Sequence, residues 1–184
     1  MTDLARPASA IDGVRYGAVE RHVDERGAFR EVWRASVTTG PAAPYVQANL
    51  STSAAGVLRG LHVHRRQDDH WLVAAGRALV ALVDVRPMLT DTAARPRVET
   101  RELRADDWVD IPAGVAHGFL ALEAFELLYL VTNEYDGSDE HGFAWDDPTA
   151  AVPWPSEARA PILSARDRAN PSLLELVEAL RTLG

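Results

Sequence analysis

Short apolar runs separated by turn-forming residues dominate the middle of the chain. Four stretches are rich in valine, leucine, isoleucine and aromatic residues: Val57–His64, Trp71–Asp84, Trp108–Ile111 and Glu126–Val131. Turn signals punctuate them at Ala75-Gly76-Arg77 and Pro112-Ala113-Gly114. Runs of this composition between glycine and proline turns predict β-strands. Helical periodicity is weak before residue 165, so the pattern predicts an all-β sandwich or barrel.

The last stretch of the chain has a helical pattern instead. Asn170 suits an N-cap and Pro171 suits the first turn of a helix. Apolar residues then recur at roughly helical spacing, at Leu173, Leu174, Val177, Leu180 and Leu183. The spacing predicts a short C-terminal helix over Pro171–Leu183, packed on the barrel. We expect loops at Ala35–Pro44 and Met88–Pro96.

Length and charge limit the class of protein. A chain of 184 residues suits one domain over 1–184, with a core at about 12–155 and a C-terminal segment and helix over 156–184. The net charge of −8 argues against a nucleic-acid partner, which requires a basic surface. The longest apolar run, near Trp71–Val85, is interrupted by Arg77, and Met1–Ala10 lacks a signal-peptide pattern. We therefore expect no membrane partner and a cytoplasmic location.

Two residue types are missing from the chain. There is no cysteine, which excludes disulfides, thiolate metal sites and a cysteine nucleophile. There is also no lysine, and all 19 basic residues are arginine. This excludes a Schiff-base enzyme, a P-loop lysine and a lysine acting as general acid or base.

A histidine pair marks the candidate site. His62 and His64 lie two residues apart on a predicted strand, so both rings can face the same side. Asp69 follows His64, then Gly76, and later Pro112-x-Gly114-x-x-His117. This order resembles the two-part cupin signature, in which the carboxylate is usually glutamate. The resemblance implies a small cupin-type β-barrel, or jelly roll, with a site in its mouth.

In metal-binding cupins, these positions hold an ion. Imidazole and carboxylate groups suit iron, manganese, nickel or zinc. The ligand set here would be His62, His64, Asp69 and His117, with His70 as a substitute for the fourth ligand. The alternative is that one or more of these residues are ordinary polar or surface residues.

Further segments resemble the dTDP-4-dehydrorhamnose 3,5-epimerase family. They occur in the family's order from about residue 12 to 173 and include Asp24-Glu25-Arg26-Gly27-Ala28-Phe29-Arg30-Glu31, Val46-Gln47-Ala48-Asn49, Gly56-Val57-Leu58-Arg59-Gly60-Leu61-His62, Ile111–Leu120, Glu140-His141-Gly142, Trp145-Asp146-Asp147-Pro148 and Pro161–Asp167. The resemblance implies a cupin-fold homodimer that acts on a dTDP-4-keto-6-deoxyhexose in deoxysugar biosynthesis. It implies no cofactor and no metal.

The family's chemistry is proton abstraction beside a ketone. The C4 ketone acidifies the protons at C3 and C5, and a base and an acid on opposite faces invert the carbon. By position, the resemblance makes His62 the base, Asp167 the carboxylate that orients it and Tyr129 the acid. From the apolar pattern around it alone, the favoured interpretation of Tyr129 is a core aromatic on an apolar strand.

The resemblance also implies a set of substrate-binding positions. Arg59 and Arg166 match positions near the diphosphate, and Tyr135 matches the aromatic that stacks on thymine. The remaining positions match nucleotide or substrate contacts, and part of the pocket comes from the dimer partner in the family: Arg26, Phe29, Glu31, Gln47, Asn49, His117 and Glu140.

Two positions depart from the family pattern. Asp69 stands where the family has a lysine near the keto oxygen, and His64 replaces a residue that is usually not histidine. Arg59 alone could stabilise the enolate in an epimerase acting at C3 or C5 only. A divalent cation could instead replace the lysine as a Lewis acid, but His62 cannot be both a ligand and a free base. A third alternative is another reaction, or ligand binding without catalysis.

Overall fold

The computed structural model describes residues 7–37, 44–91 and 93–183. The strands are β1 (Arg15–Ala18), β2 (His22–Asp24), β3 (Gly27–Phe29), β4 (Gln47–Ser53), β5 (Leu58–Val63), β6 (Asp69–Ala75), β7 (Arg77–Asp84), β8 (Arg97–Arg104), β9 (Asp107–Ile111), β10 (Val115–Ala121), β11 (Phe125–Val131) and β12 (His141–Gly142). The helices are α1 (Arg86–Thr90), α2 (Ala165–Arg168) and α3 (Leu173–Thr182), with 3₁₀ turns at Ala35–Val37 and Ser156–Arg159.

Two five-stranded antiparallel sheets form the body of the fold. The first has the order β1-β9-β6-β11-β4 and the second the order β12-β5-β10-β7-β8. Strands β2 and β3 form a separate hairpin. The prediction of an all-β cupin-type barrel with a short C-terminal helix is confirmed.

The long apolar stretch Trp71–Asp84 is divided between the two sheets. Its first five residues form the end of β6, and Arg77–Asp84 form the whole of β7. The predicted turn at Gly76 lies between them. Gly76 has φ +78°, and a Cβ there would lie 2.0 Å from the carbonyl oxygen of Ala124. A residue with a side chain would therefore clash at this crossing, which glycine alone permits.

The main core lies between the two sheets. Trp71 and Val73 from β6 pack in one buried cluster with Val80 and Leu82 from β7 and with Phe119 from β10. Neighbouring inward positions on a strand are two residues apart, because side chains alternate between the faces of a sheet. The polar site described below occupies inward positions of the same strands.

A second core lies under α3. The helix buries Leu173, Leu176, Val177 and Leu180 on the outer face of the second sheet. It begins after Ser172, whose side chain and backbone exchange hydrogen bonds with Glu175 in a capping box. The predicted start at Asn170 and Pro171 was two residues early, because the Ser172 and Glu175 pair supplies the cap.

The two predicted loops differ from expectation in part. Met88 is buried in the second core, within α1, so the stretch Met88–Thr90 is helical rather than loop. The predicted loop Ala35–Pro44 begins with a 3₁₀ turn over Ala35–Val37, and its residues 38–43 lie outside the described residues. None of the helices in the described ranges combines the length and apolar character needed to cross a membrane.

Candidate active site

A cavity of about 460 Å³ opens between the two sheets beyond the main core. Its inner end is formed by Trp71, Phe119 and Leu127, which also belong to the core. Its walls are mostly polar and are formed by Gln47, Asn49, Ser51, Arg59, His62, His64, Gln67, Asp69, His117, Tyr129, Val131, Tyr135, Glu140 and Arg166. The cavity is thus a polar extension of the interior, with most of the predicted site residues around it.

Strand alternation explains how the walls are built. On β11, Leu127, Tyr129 and Val131 face the cavity at every second position. On the neighbouring β4, Gln47, Asn49 and Ser51 do the same. Tyr129 therefore faces the cavity, while part of its side chain packs against the main core.

The second sheet contributes the histidine wall. His62 on β5 is the direct cross-strand partner of His117 on β10. These two strands approach closely at Gly118, where a Cβ would lie 2.6 Å from the carbonyl oxygen of Arg59. The absence of a side chain at this position permits the close approach, and the register of the two strands shifts there, between His117 and Phe119.

The His62 ring is held by a buried carboxylate. His62 Nε2 lies 2.7 Å from Asp167 Oδ1, and the Asp167 side chain is only 4% exposed. Burial acts to raise the pKa of Asp167, but hydrogen bonds from His62 and Ser164 and the charges of His62 and Arg166 together lower it. An ionised carboxylate only accepts, so Nε2–H donates to it and Nδ1 keeps its lone pair. When the ring of His62 is neutral, Nδ1 is therefore the nitrogen that can accept a proton.

Asp167 is itself positioned by a helix start. The Ser164 hydroxyl accepts a hydrogen bond from the Asp167 backbone N–H at 3.0 Å and caps α2. Ser164 is not a cavity residue, and sequence reasoning gave it no role. The signal that could have identified it is the N-cap pattern, a serine three residues before an acidic residue.

The surroundings of the Tyr129 phenol oppose its ionisation. Burial raises the pKa of Tyr129, and the negative charges of Asp69 and Glu140 add to this effect, while Arg59 opposes it. The phenol therefore keeps its proton. Because Tyr129 is on β11 of the first sheet and His62 on β5 of the second, the phenol and the imidazole lie on opposite walls of the cavity.

The cavity rim carries the predicted arginines and the exposed aromatic. Arg59 donates to the Ser53 hydroxyl at 3.1 Å, and Arg166 pairs with Glu140 at 2.8 Å. Tyr135 is exposed, and its backbone N–H donates to Gln47 Oε1 at 2.9 Å. The Gln47 side chain in turn donates to Asn49 Oδ1 at 2.9 Å. These residues form a polar entrance with two cationic groups.

Three predicted binding residues lie away from this cavity. Arg26, Phe29 and Glu31 are in or just after the exposed β2–β3 hairpin and do not line the cavity of their own chain. Arg26 pairs with Asp24, and Glu31 pairs with Arg34. The described chain alone therefore does not bring them to the site.

The predicted four-residue metal set is not formed as expected. His64, Asp69 and His117 offer ligand atoms that all lie within 4.8 Å of one another, and all three residues are buried. His62 does not belong to this group, and its Nε2 is bonded to Asp167 instead. His70, the suggested substitute, faces another way and bonds to Asp110 Oδ1 at 2.6 Å.

The ring of His117 is neutral at ordinary pH. Burial lowers its pKa to about 4, with a smaller opposing effect from Asp69 and further lowering from His64 and His62. Its Nδ1 lies 3.1 Å from the carbonyl oxygen of Val115. A carbonyl only accepts, so Nδ1 carries the proton and Nε2 has the lone pair.

Comparisons with known proteins agree with this site. The family model described as dTDP-4-dehydrorhamnose 3,5-epimerase matches residues 8–175. The chain is 34% identical over 155 residues to the spore coat polysaccharide biosynthesis protein SpsL of Bacillus subtilis, covering 81% of this chain and 99% of that protein. It is 36% identical over 160 residues to the dTDP-4-dehydrorhamnose 3,5-epimerase of Mycobacterium tuberculosis, covering 82% of this chain and 78% of that protein.

A solved structure shows the same fold. The dTDP-6-deoxy-D-glucose-3,5-epimerase RmlC of Legionella pneumophila, solved with dTDP-4-keto-L-rhamnose, superposes with a TM-score of 0.81. It is 30% identical, and the match covers 94% of each chain. With the family model, the mycobacterial relative and this structure in agreement, the chain belongs to the dTDP-4-dehydrorhamnose 3,5-epimerase family, a family of carbohydrate epimerases of the isomerase class.

Proposed function

We propose that this epimerase inverts C3, C5 or both in a dTDP-4-keto-6-deoxyhexose. The observation that carries the proposal is the placement of His62, held by Asp167, and Tyr129 on opposite walls of one cavity. Inversion of a carbon requires removal of a proton from one face and return of a proton to the other. A base and an acid in opposite sheets meet that requirement.

The reaction follows from the protonation states of the two groups. His62 Nδ1 takes the proton beside the ketone, and the C–H electron pair forms a carbon–carbon double bond as the carbonyl electrons move to oxygen. The Tyr129 phenol then donates its proton to the opposite face of that carbon, and the ketone re-forms. Both groups exchange protons with solvent to return to their starting states.

The rim residues suit a nucleotide diphosphate. Arg59 and Arg166 present guanidinium groups, which match the oxygens of a diphosphate. Tyr135 offers an exposed ring on which a thymine base can stack. Gln47, Asn49, His117 and Glu140 remain available for polar contacts. The nucleotide sugars in the names of the relatives support a dTDP-sugar as the substrate.

We propose that the working unit is a homodimer. The β2–β3 hairpin exposes Val23 (73%) and Phe29 (67%), and the first sheet ends at β4, which exposes Leu50 (64%). Exposed apolar side chains favour a protein partner, and so does an open strand edge such as that of β4. A partner's hairpin across the mouth of the cavity would bring its Arg26, Phe29 and Glu31 to the nucleotide.

Light scattering after gel filtration tests the dimer. Phe29→Asp is expected to shift the protein to monomer and to weaken dTDP binding. Leu174→Asp is the matched control, because Leu174 is also an exposed apolar residue (57%) but lies on α3. A monomeric wild type, or an unchanged dimer in Phe29→Asp, contradicts the assignment of this interface.

The cytoplasmic location and the division into one domain stay predictions.

Proton exchange tests the reaction itself. The protein is incubated with dTDP-4-keto-6-deoxyglucose in heavy water, and deuterium at C3 and C5 is followed by NMR. Wild type is expected to incorporate deuterium at one or both carbons, and His62→Asn to lose this incorporation. Absence of deuterium at both carbons in wild type rules out epimerisation of this substrate.

A further inference from the structure

A compact group of three buried ligand-type residues lies in the cavity wall, and the proposed proton transfers leave it unused. His64, Asp69 and His117 are 6%, 3% and 4% exposed. Their potential ligand atoms lie within 4.8 Å of one another, and His117 Nε2 is 3.8 Å from Asp69 Oδ2. Buried polar groups that converge on one point can share a ligand among them.

Both imidazole rings are fixed with a lone pair free. His64 Nδ1 lies 2.7 Å from the carbonyl oxygen of Asp139, and His117 Nδ1 lies 3.1 Å from that of Val115. Each carbonyl accepts the Nδ1 proton, so Nε2 is the nitrogen that carries the lone pair when the ring is neutral. A backbone carbonyl behind a histidine is the arrangement that orients metal ligands in proteins.

The Asp69 carboxylate is oriented in the same way. Gln67 Nε2 donates to Oδ1 at 2.8 Å, and Trp71 Nε1 donates to Oδ2 at 3.1 Å. Each oxygen keeps a further lone pair, and the ring of His117 is the third neighbour. None of these three neighbours carries a permanent positive charge, and the chain has no lysine to supply one. A buried carboxylate in such surroundings is suited to a cation.

We propose that His64, Asp69 and His117 bind one divalent transition-metal ion. Two imidazoles and one carboxylate are the ligands that iron, manganese, cobalt, nickel and zinc accept, with coordination positions left open. Metal–ligand bonds are about 2.1 Å, so small rotations of side chains within 4.8 Å of one another complete the site. His62 is not part of the group of converging ligand atoms, and its Nε2 is bonded to Asp167.

The role of this ion rests on the proposed epimerase function. The three ligands line the same cavity as His62 and Tyr129, and His117 is the cross-strand partner of His62. An ion there can accept the C4 carbonyl oxygen at an open position and stabilise the enolate that forms when His62 takes the proton. The base and the Lewis acid are then separate groups, which removes the conflict that arises if His62 is a ligand.

Metal binding is tested on untagged full-length protein that has been stripped with a chelator. Equilibrium dialysis against Co²⁺, with visible spectra of the bound ion, is expected to show one ion per chain. Asp69→Asn and His64→Gln each remove a proposed ligand. Each is expected to weaken Co²⁺ binding by more than about 100-fold, which is the most that loss of a contact supporting a ligand usually causes. Gln67→Ala, which removes such a contact from Asp69, is expected to weaken binding by about 10- to 100-fold.

His62→Asn is the matched control, since it removes a histidine of the same cavity that is not a proposed ligand. It is expected to keep one Co²⁺ per chain. Thermal unfolding of each variant without metal identifies any variant that fails to fold. If Asp69→Asn or His64→Gln fails to fold, Gln67→Ala is used in its place. Failure of wild type to bind one ion overturns the site. Loss of binding in His62→Asn, or normal binding in folded Asp69→Asn, also overturns it.

The catalytic role has a separate readout. Deuterium incorporation into the keto sugar is measured with stripped and Co²⁺-loaded wild type. A fall on stripping and recovery on reloading support the role, while equal rates overturn it. If neither form exchanges protons, the proposed epimerase function and this role fail together, but the dialysis result still decides whether the ion binds.

Discussion

Replacement of Asp167 with asparagine removes a negative charge behind the His62 ring and keeps the size of the side chain. The 2.7 Å contact between His62 Nε2 and Asp167 Oδ1 is the bond affected. His62 becomes positively charged as it takes the substrate proton, so the carboxylate stabilises the transition state more than the ground state. A hydrogen bond to a charged group contributes about 1.5–3 kcal/mol, which corresponds to a fall in kcat of about 10- to 160-fold.

The assay separates this effect from a change in substrate binding. Asp167 does not line the cavity, so KM is expected to stay near the wild-type value while kcat falls. Initial rates of deuterium incorporation by NMR give both constants. Asp146→Asn is the matched control, because Asp146 is exposed and outside the site, and its kcat is expected to be unchanged. The reasoning is refuted if Asp167→Asn keeps the wild-type kcat, or if KM alone changes.

Four further outcomes follow from the structure. Tyr129→Phe should lower net epimerisation about 100-fold or more while His62 still exchanges the substrate proton without inversion; NMR showing inversion at the wild-type rate contradicts this. Gly118→Ala should lower the free energy of unfolding by about 1–3 kcal/mol, because its Cβ would lie 2.6 Å from the Arg59 carbonyl oxygen; an unchanged urea midpoint is the opposing result. Ser172→Ala removes the capping box of α3 and should lower Tm by about 2–4 °C in calorimetry. The pKa of Asp167 is lowered in the folded state. The ionised carboxylate should therefore stabilise the wild type relative to Asp167→Asn fully above about pH 4, and this advantage should vanish as the pH falls further. A difference in free energy of unfolding between the two proteins that stays constant across this range in urea titrations would contradict it.

The strands that the sequence predicts are those of the sheet interiors. The predicted strands β5, β6, β7, β9 and β11 all lie inside their sheets and are mostly buried, so their composition is locally distinctive. β1, β4 and β8 are edge strands whose residues are mostly half-buried or exposed, and the apolar pattern does not reveal them. β10 is interior and buried along its whole length, yet it is not among the predicted strands, because its sequence includes His117 and Gly118 and follows directly on a turn. Burial on both faces therefore accounts for most, but not all, of the strands that can be predicted from the chain.

The sequence predicts which side chains face the candidate site, but not the groups to which those side chains bond. The spacing of His62 and His64 correctly indicates that both face the cavity. It does not indicate that one ring bonds to Asp167 and the other to the Asp139 carbonyl, because those partners are 105 and 75 residues away in sequence. Likewise, nothing near His70 in the sequence shows that its partner is Asp110. Such pairings depend on the sheet topology.

The edge position of β4 separates substrate choice from stability in this fold. Gln47, Asn49 and Ser51 line the cavity but do not belong to the buried core, whereas Trp71 and Phe119 belong to both. A change at Trp71 or Phe119 disturbs packing throughout the main core. A change at the three β4 positions alters the wall that faces the ligand and leaves that packing intact. New sugar specificities can therefore evolve on this strand with little loss of folding free energy.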